Sequence, residues 1–193
     1  MPDSKKGSRR RDTECIALLR GINVGRAKRV SMSDLRGLVA DLGHENVRTL
    51  MNSGNVLFQS SRPNVHRISQ AIEAAIESAC GFSASVVVIT AADLGAIIEE
   101  NPLLKLVKDP ARHLVAFAAG ARQLAPLRPL LKKKWKPDAL AITERAAYLW
   151  CASGILEGKL SREFARQAGD SVTTRNWSTV LKLQAAAQAA AEA

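Results

Sequence analysis

The sequence is poor in aromatics, thiols and long apolar runs. Only 4% of its 193 residues are Phe, Trp or Tyr. Its three cysteines (Cys15, Cys80, Cys151) and three histidines (His44, His66, His113) stand singly, without the C-x-x-C or H-x-x-x-H spacing of a metal site. They provide neither a zinc centre nor a disulfide framework, so no cofactor is expected and a reducing cytoplasm is the expected compartment. No apolar run approaches the roughly 20 residues that span a bilayer. The charges of residues 1–12 are not followed by an apolar stretch. The expectation is a soluble, unexported protein with no membrane partner.

Acids are scarce as well. There are 18 Asp and Glu against 28 Lys and Arg, a formal charge of +10, with 47% hydrophobic residues. That composition is globular and excludes disorder throughout or a fibrous repeat, and the length suits one domain or two small ones sharing a core. The excess charge is segregated. Residues 1–12 carry net +3 and residues 103–136 net +8, whereas residues 13–102 are at −1 and residues 137–193 at 0.

Apolar periodicity marks the elements. Cys15-Ile16-Ala17-Leu18-Leu19 reads as a buried strand ending in a glycine loop. Leu35, Leu38, Val39 and Leu42 mark a helix capped by Ser31 or Ser33 and stopped by Gly43. Val47 to Met51 and Asn55 to Gln59 form a hairpin around Asn52-Ser53-Gly54. A second helix opens at Asn64, and Ser85 to Thr90 closes the unit as a β-branched strand. A short helix from Asp93 to Glu100 follows, and the pattern then restarts with a strand at His113 to Ala118. Leu124, Leu127, Leu130 and Leu131 mark a helix, Ala139 to Ile142 and Ala147 to Cys151 two strands, and Leu160, Phe164 and Ala168 another helix. A brief strand from Ser171 to Thr174 leads into a last helix near Asn176.

The order β-α-β-β-α-β, read twice, predicts an α+β protein of two ferredoxin-like (βαββαβ) subdomains with antiparallel sheets. The first spans residues 13–92. A helical linker covers 93–111, and the second subdomain with its C-terminal helix covers 112–184. A disordered basic tail (1–12) and an alanine-rich tail (185–193) flank them.

In such a sheet the first and second strands run the same way with the third between them, so the loop after strand one and the hairpin tip share one edge. That edge gathers Arg20, Gly21, Asn23, Gly25 and Arg26 from the loop and Asn52, Ser53, Gly54 and Asn55 from the tip. Backbone N–H groups, amides and local positive charge suit an anion or a phosphorylated ligand. Glycine and asparagine are also ordinary turn residues. The spacing is neither a Walker loop nor a dinucleotide fingerprint. Arg175, Asn176 and Trp177 open the last helix, either as polar members of the same site or as the cap and anchor of a docking helix packed through Trp177, Val180 and Leu181.

These stretches carry a resemblance. Leu18-Leu19-Arg20-Gly21-Ile22-Asn23-Val24-Gly25, then Ser53-Gly54-Asn55-Val56, then Arg175-Asn176-Trp177-x-Thr179-Val180-x-Lys182-Leu183 together resemble the bacterial family catalogued as domain of unknown function 1697, over about residues 14–184. The resemblance implies a cytoplasmic two-subdomain α+β fold and brings no activity or catalytic residues with it. The chain departs from the family pattern at Arg26, where a second glycine is usual, and at Asn52, where glutamine is usual.

The central basic stretch offers a nucleic-acid patch of Arg122, Arg128, Lys132, Lys133, Lys134 and Lys136, with solvated cations at a helix end as the plainer reading. Base stacking on the first sheet, the RNA-recognition mode, is argued against by a first strand without aromatics. Near the glycine loops no nucleophile is paired with a base and no two carboxylates are paired. The expected function is binding of an anionic partner, nucleic acid or a phosphorylated small molecule, without catalysis. The alternatives are an enzyme acting on a phosphorylated small molecule at the Gly/Asn edge and a protein-interaction domain. No oligomeric state is set by the sequence.

Overall fold

The computed structural model describes residues 12–23, 28–61 and 63–191. The first half is β1 (Thr13–Arg20), α1 (Met32–Asp41), β2 (Glu45–Thr49), β3 (Asn55–Ser60), α2 (Val65–Cys80) and β4 (Ser85–Thr90). After α3 (Ala91–Glu99) comes the second half. It comprises β5 (His113–Ala118), α4 (Ala121–Leu124), a 3-10 run (Ala125–Lys132), β6 (Ala139–Ile142), β7 (Ala146–Trp150), α5 (Lys159–Ala168), β8 (Val172–Asn176) and α6 (Trp177–Ala191). The two sheets are four-stranded and antiparallel, in the orders β2-β3-β1-β4 and β6-β7-β5-β8. The fold is α+β, and each half repeats the βαββαβ order.

Because side chains alternate across a strand, each sheet buries both faces. Ile16 and Leu18 of β1 join Val115, Phe117, Tyr148 and Trp150 of the second sheet in one shared cluster, completed by α3 and by Trp177, Val180 and Leu183 of α6. Cys15, Ala17 and Leu19 turn the other way, onto α1 and α2. Ala116, Leu149 and Cys151 turn onto α5 and the 3-10 run. Two helix layers thus cover the outer faces of two sheets that share a core. The alanine-rich residues up to Ala191 continue α6, with Ala187 buried.

The caps follow from short polar side chains. Ser31 and Asn64 accept from Asp34 N and Arg67 N, and Thr90 and Asp93 form a capping box on α3. Three expectations need correction. Leu124, Leu127 and Leu130 are buried but do not lie on one α-helix, because Pro126 and Pro129 remove the donors an i→i−4 ladder needs. Their spacing of three fits the 3-10 turn, which leaves Leu131 exposed. β2 ends at Thr49, with Met51 exposed at a φ of 60°. On α6, Leu181 is exposed and Leu183 takes the buried place.

Candidate functional site

The shared edge expected of the first half forms, and β8 of the second half is stitched to it. Leu19 N donates to Gly54 O at 2.8 Å, tying the loop after β1 to the hairpin tip. Gly54 sits at a φ of +70°, where a Cβ would come within 2.9 Å of both Leu19 Cβ and Ile22 Cδ1. Asn23 holds its own loop closed, its Oδ1 accepting from Val30 N and its Nδ2 donating to Val30 O. Gly25 and Arg26 lie outside the described residues.

Arg175 reaches this edge from β8. Its Nε donates to Asn55 Oδ1 at 2.6 Å. Nη2 donates to Leu19 O at 2.8 Å and to Ser53 O and Gly54 O at 3.2 Å, and Nη1 donates to Thr173 Oγ1 and Thr174 O. Asn55 is fully buried and spends its own Nδ2 on Leu50 O and Ser53 Oγ. Arg20 makes a parallel tie, Nη1 to Val172 O at 2.8 Å, beside an ion pair with the exposed Asp170. Asn176 and Trp177 point elsewhere. Asn176 caps α6 through Thr179 N, and Trp177 is in the shared core with its ring 5.3 Å from that of His113.

Every acceptor around Arg175 is neutral, and among the described residues no carboxylate pairs with it. Burial pushes its guanidinium down to about 10, still cationic at neutral pH. The charge is hydrogen-bonded but not neutralised.

Beside this junction lies a cleft of about 790 Å³. One wall is the edge itself, with Arg20, Gly21, Ile22, Asn23, Asn52 and Ser53. The opposite wall is the α5 side of the second sheet, with Leu114, Leu149, Phe164, Ala165 and Val172 and with Leu156 at the mouth. Arg162 and Arg175 also line it. The described lining therefore combines apolar side chains with three arginines and contains no carboxylate, histidine or cysteine. The α5 wall was not foreseen. Its sequence signal, an exposed small residue at Ala165 beside Arg162 on a helix, is too weak to place that helix against a loop of the other half.

The basic patch is a separate surface. Arg122, Arg128, Lys132, Lys133, Lys134 and Lys136 are all exposed along α4, the 3-10 run and the segment after it. Arg128 pairs with Glu144 at 2.7 Å, and Lys133 pairs with Glu163 of α5 and lies over the Trp135 ring. Among the described residues no group of three or more His, Cys, Asp or Glu is placed to hold a metal ion. No described helix is long and apolar enough to cross a membrane.

A family model described as "Protein of unknown function (DUF1697)" matches residues 13–148. Among solved structures, the "conserved bacterial protein SP0830 from Streptococcus pneumoniae" is similar with a TM-score of 0.76 at 23% identity, over 92% of this chain and 99% of that one. That likeness extends to the fold. No curated protein matches.

Proposed function

The chain belongs to the DUF1697 family, and from the geometry of its cleft we propose that it is a cytoplasmic binding protein for a small molecule with an apolar body and an anionic head, a phosphate above all. The observation that carries this reading is the charge of the lining: Arg20, Arg162 and Arg175 with no carboxylate among the described residues that line the cleft. Arg175 contributes through its field, since its donors are already used. Arg162, exposed and in no ion pair among the described residues, supplies free donors. The volume falls within the roughly 300–1,000 Å³ of small-molecule sites, which are mostly apolar with a few orienting polar groups. Free cysteines at 15, 80 and 151 fit a reducing compartment.

Binding rather than catalysis is favoured because the described lining offers only serine and threonine hydroxyls, with no general base within it. Ser161 already donates to Gly158 O, and Ser53 accepts from Asn55. The test compares 1-naphthyl phosphate with 1-naphthol by titration calorimetry. The phosphate should bind at least about fivefold more tightly, a coupling of about 1 kcal/mol, and Ala165→Trp, which fills the cleft from an exposed position, should remove both. Equal binding of the two probes, no binding, or unchanged binding by the variant would overturn the reading.

A further inference from the structure

We propose that the outer helix layer of the second half is a docking face for the phosphate backbone of double-stranded nucleic acid, contacted without reading the bases. The two helix layers differ in sign. Residues 121–136 and 159–168, which form the second layer, carry nine Lys and Arg against one carboxylate, Glu163. The helices of the first layer, residues 32–41 and 65–80, carry two arginines against four carboxylates. One face of the molecule is therefore strongly cationic and the other mildly acidic, which orients the protein toward a polyanion.

The cations form one surface because α5 packs on the 3-10 run. Lys133 pairs with Glu163, and Gln167 of α5 donates to Pro126 O. Glu163 is held below the usual carboxylate range by its hydrogen bond from Lys133, with the charges of Lys133, Lys159 and Arg166 adding to the effect. On α5, Lys159, Arg162 and Arg166 follow at i, i+3 and i+7 and are all exposed, one stripe about 10 Å long at 1.5 Å per residue. Lys159 stands in the first turn, where no acid accompanies it and where the helix dipole disfavours a cation. A lysine placed against the dipole is not explained by helix stability.

Two other anionic surfaces fit less well. A membrane-surface helix keeps a broad apolar face for the acyl boundary, but here that face is used internally, with Leu127, Leu130, Leu160, Phe164 and Ala168 all buried. Single strands are held by stacking on aromatics. Among the described residues Trp135, the aromatic under Lys133, is half-buried with its Nε1 bonded to Leu130 O. Backbone contact with a duplex remains.

The test is fluorescence anisotropy of short labelled duplexes, DNA and RNA, across a salt series. Binding is expected at about 50 mM salt, and engagement of about four phosphates gives a log–log slope of about −3.6. Lys132→Ala/Lys134→Ala/Lys159→Ala/Arg166→Ala should weaken binding at least about tenfold and flatten the slope, while Arg36→Ala/Arg67→Ala on the opposite layer should bind like the parent. None of the four cations lines the cleft, so naphthyl phosphate titration of the fourfold variant separates loss of this face from failure of the cleft reading and reports that the variant is folded. No duplex binding at the lowest salt, parent-like binding by the fourfold variant, or tighter binding to phosphatidylserine vesicles, poly-glutamate or single strands than to duplex would overturn the proposal.

Discussion

Arg175 Nε and Asn55 Oδ1 meet at 2.6 Å across 120 residues of sequence, and that contact joins the two halves at the rim of the cleft. Arg175 gives the remaining donors to Leu19 O, Ser53 O, Gly54 O, Thr173 Oγ1 and Thr174 O. Lysine carries one point of charge where arginine presents a planar fork. Arg175→Lys should therefore lower stability by about 2 kcal/mol and Arg175→Ala by about 3 kcal/mol, since buried acceptors are left unpaired. A double-mutant cycle with Asn55→Ala, read by urea denaturation, should give a coupling of at least about 1 kcal/mol. Additive losses would mean that the two side chains do not act together.

Gly54 and Gly21 share a left-handed φ but not the same surroundings. A Cβ on Gly54 meets Leu19 and Ile22 at 2.9 Å, whereas one on Gly21 meets nothing within 4 Å. Gly21→Ala should cost about 1 kcal/mol, the conformational penalty alone. Gly54→Ala should cost about 3 kcal/mol because packing strain is added. Urea midpoints of the two variants, ranked in that order, check the assignment.

The thiols separate by burial. Cys15 and Cys151 are fully buried, and desolvation pushes them up to about 11 and about 12. Cys80 is half-buried near the end of α2. Since the thiolate is the reactive form, Ellman's reagent should titrate one thiol in the native protein and all three after denaturation. Cys80→Ser should abolish the native reaction.

His113 makes stability depend on pH. The ring is fully buried, with one polar partner at each nitrogen: Leu149 O lies 3.0 Å from Nδ1 and Asn101 Nδ2 lies 2.8 Å from Nε2. The amide can only donate to Nε2, so the proton is on Nδ1 and the ring is neutral. Burial lowers its pKa, with the Leu149 carbonyl opposing, and burial also lowers that of His44. The folded protein therefore binds fewer protons than the unfolded chain below the unfolded value of about 6.5. Stability is full above that pH and falls as pH drops from it through the folded value. Urea midpoints should decline as pH falls below about 6.5. His113→Gln, which cannot titrate, should show a shallower decline, and an unchanged slope would assign the effect to other groups.

Short apolar runs bounded by turn residues made the eight strands legible, because the central strands of each sheet are buried on both faces, and the glycine loops could be placed on one edge by strand direction alone. Three things were not legible. Pro126 and Pro129 convert a leucine pattern into a 3-10 run, and a spacing of three is shared by both helix types over so short a stretch. The second is Arg175. Its neighbours in sequence, Asn176 and Trp177, serve α6 and the core, and nothing local indicates that the arginine turns to a loop 120 residues away. The third is the cleft's second wall, hidden for the same reason: α5 faces the first half across the cleft, and no residue near it in sequence signals that.

The central claim is that the cleft between the glycine edge and α5 receives an anion attached to an apolar body. Amide shift mapping of the 15N-labelled protein with 1-naphthyl phosphate tests it most directly. The account predicts saturable shifts at Gly21, Asn52, Ala165 and Thr174, all of which line the cleft, and their disappearance in Ala165→Trp. Shifts confined to the outer face of α5 and the 3-10 run, or none at saturating ligand, would contradict it.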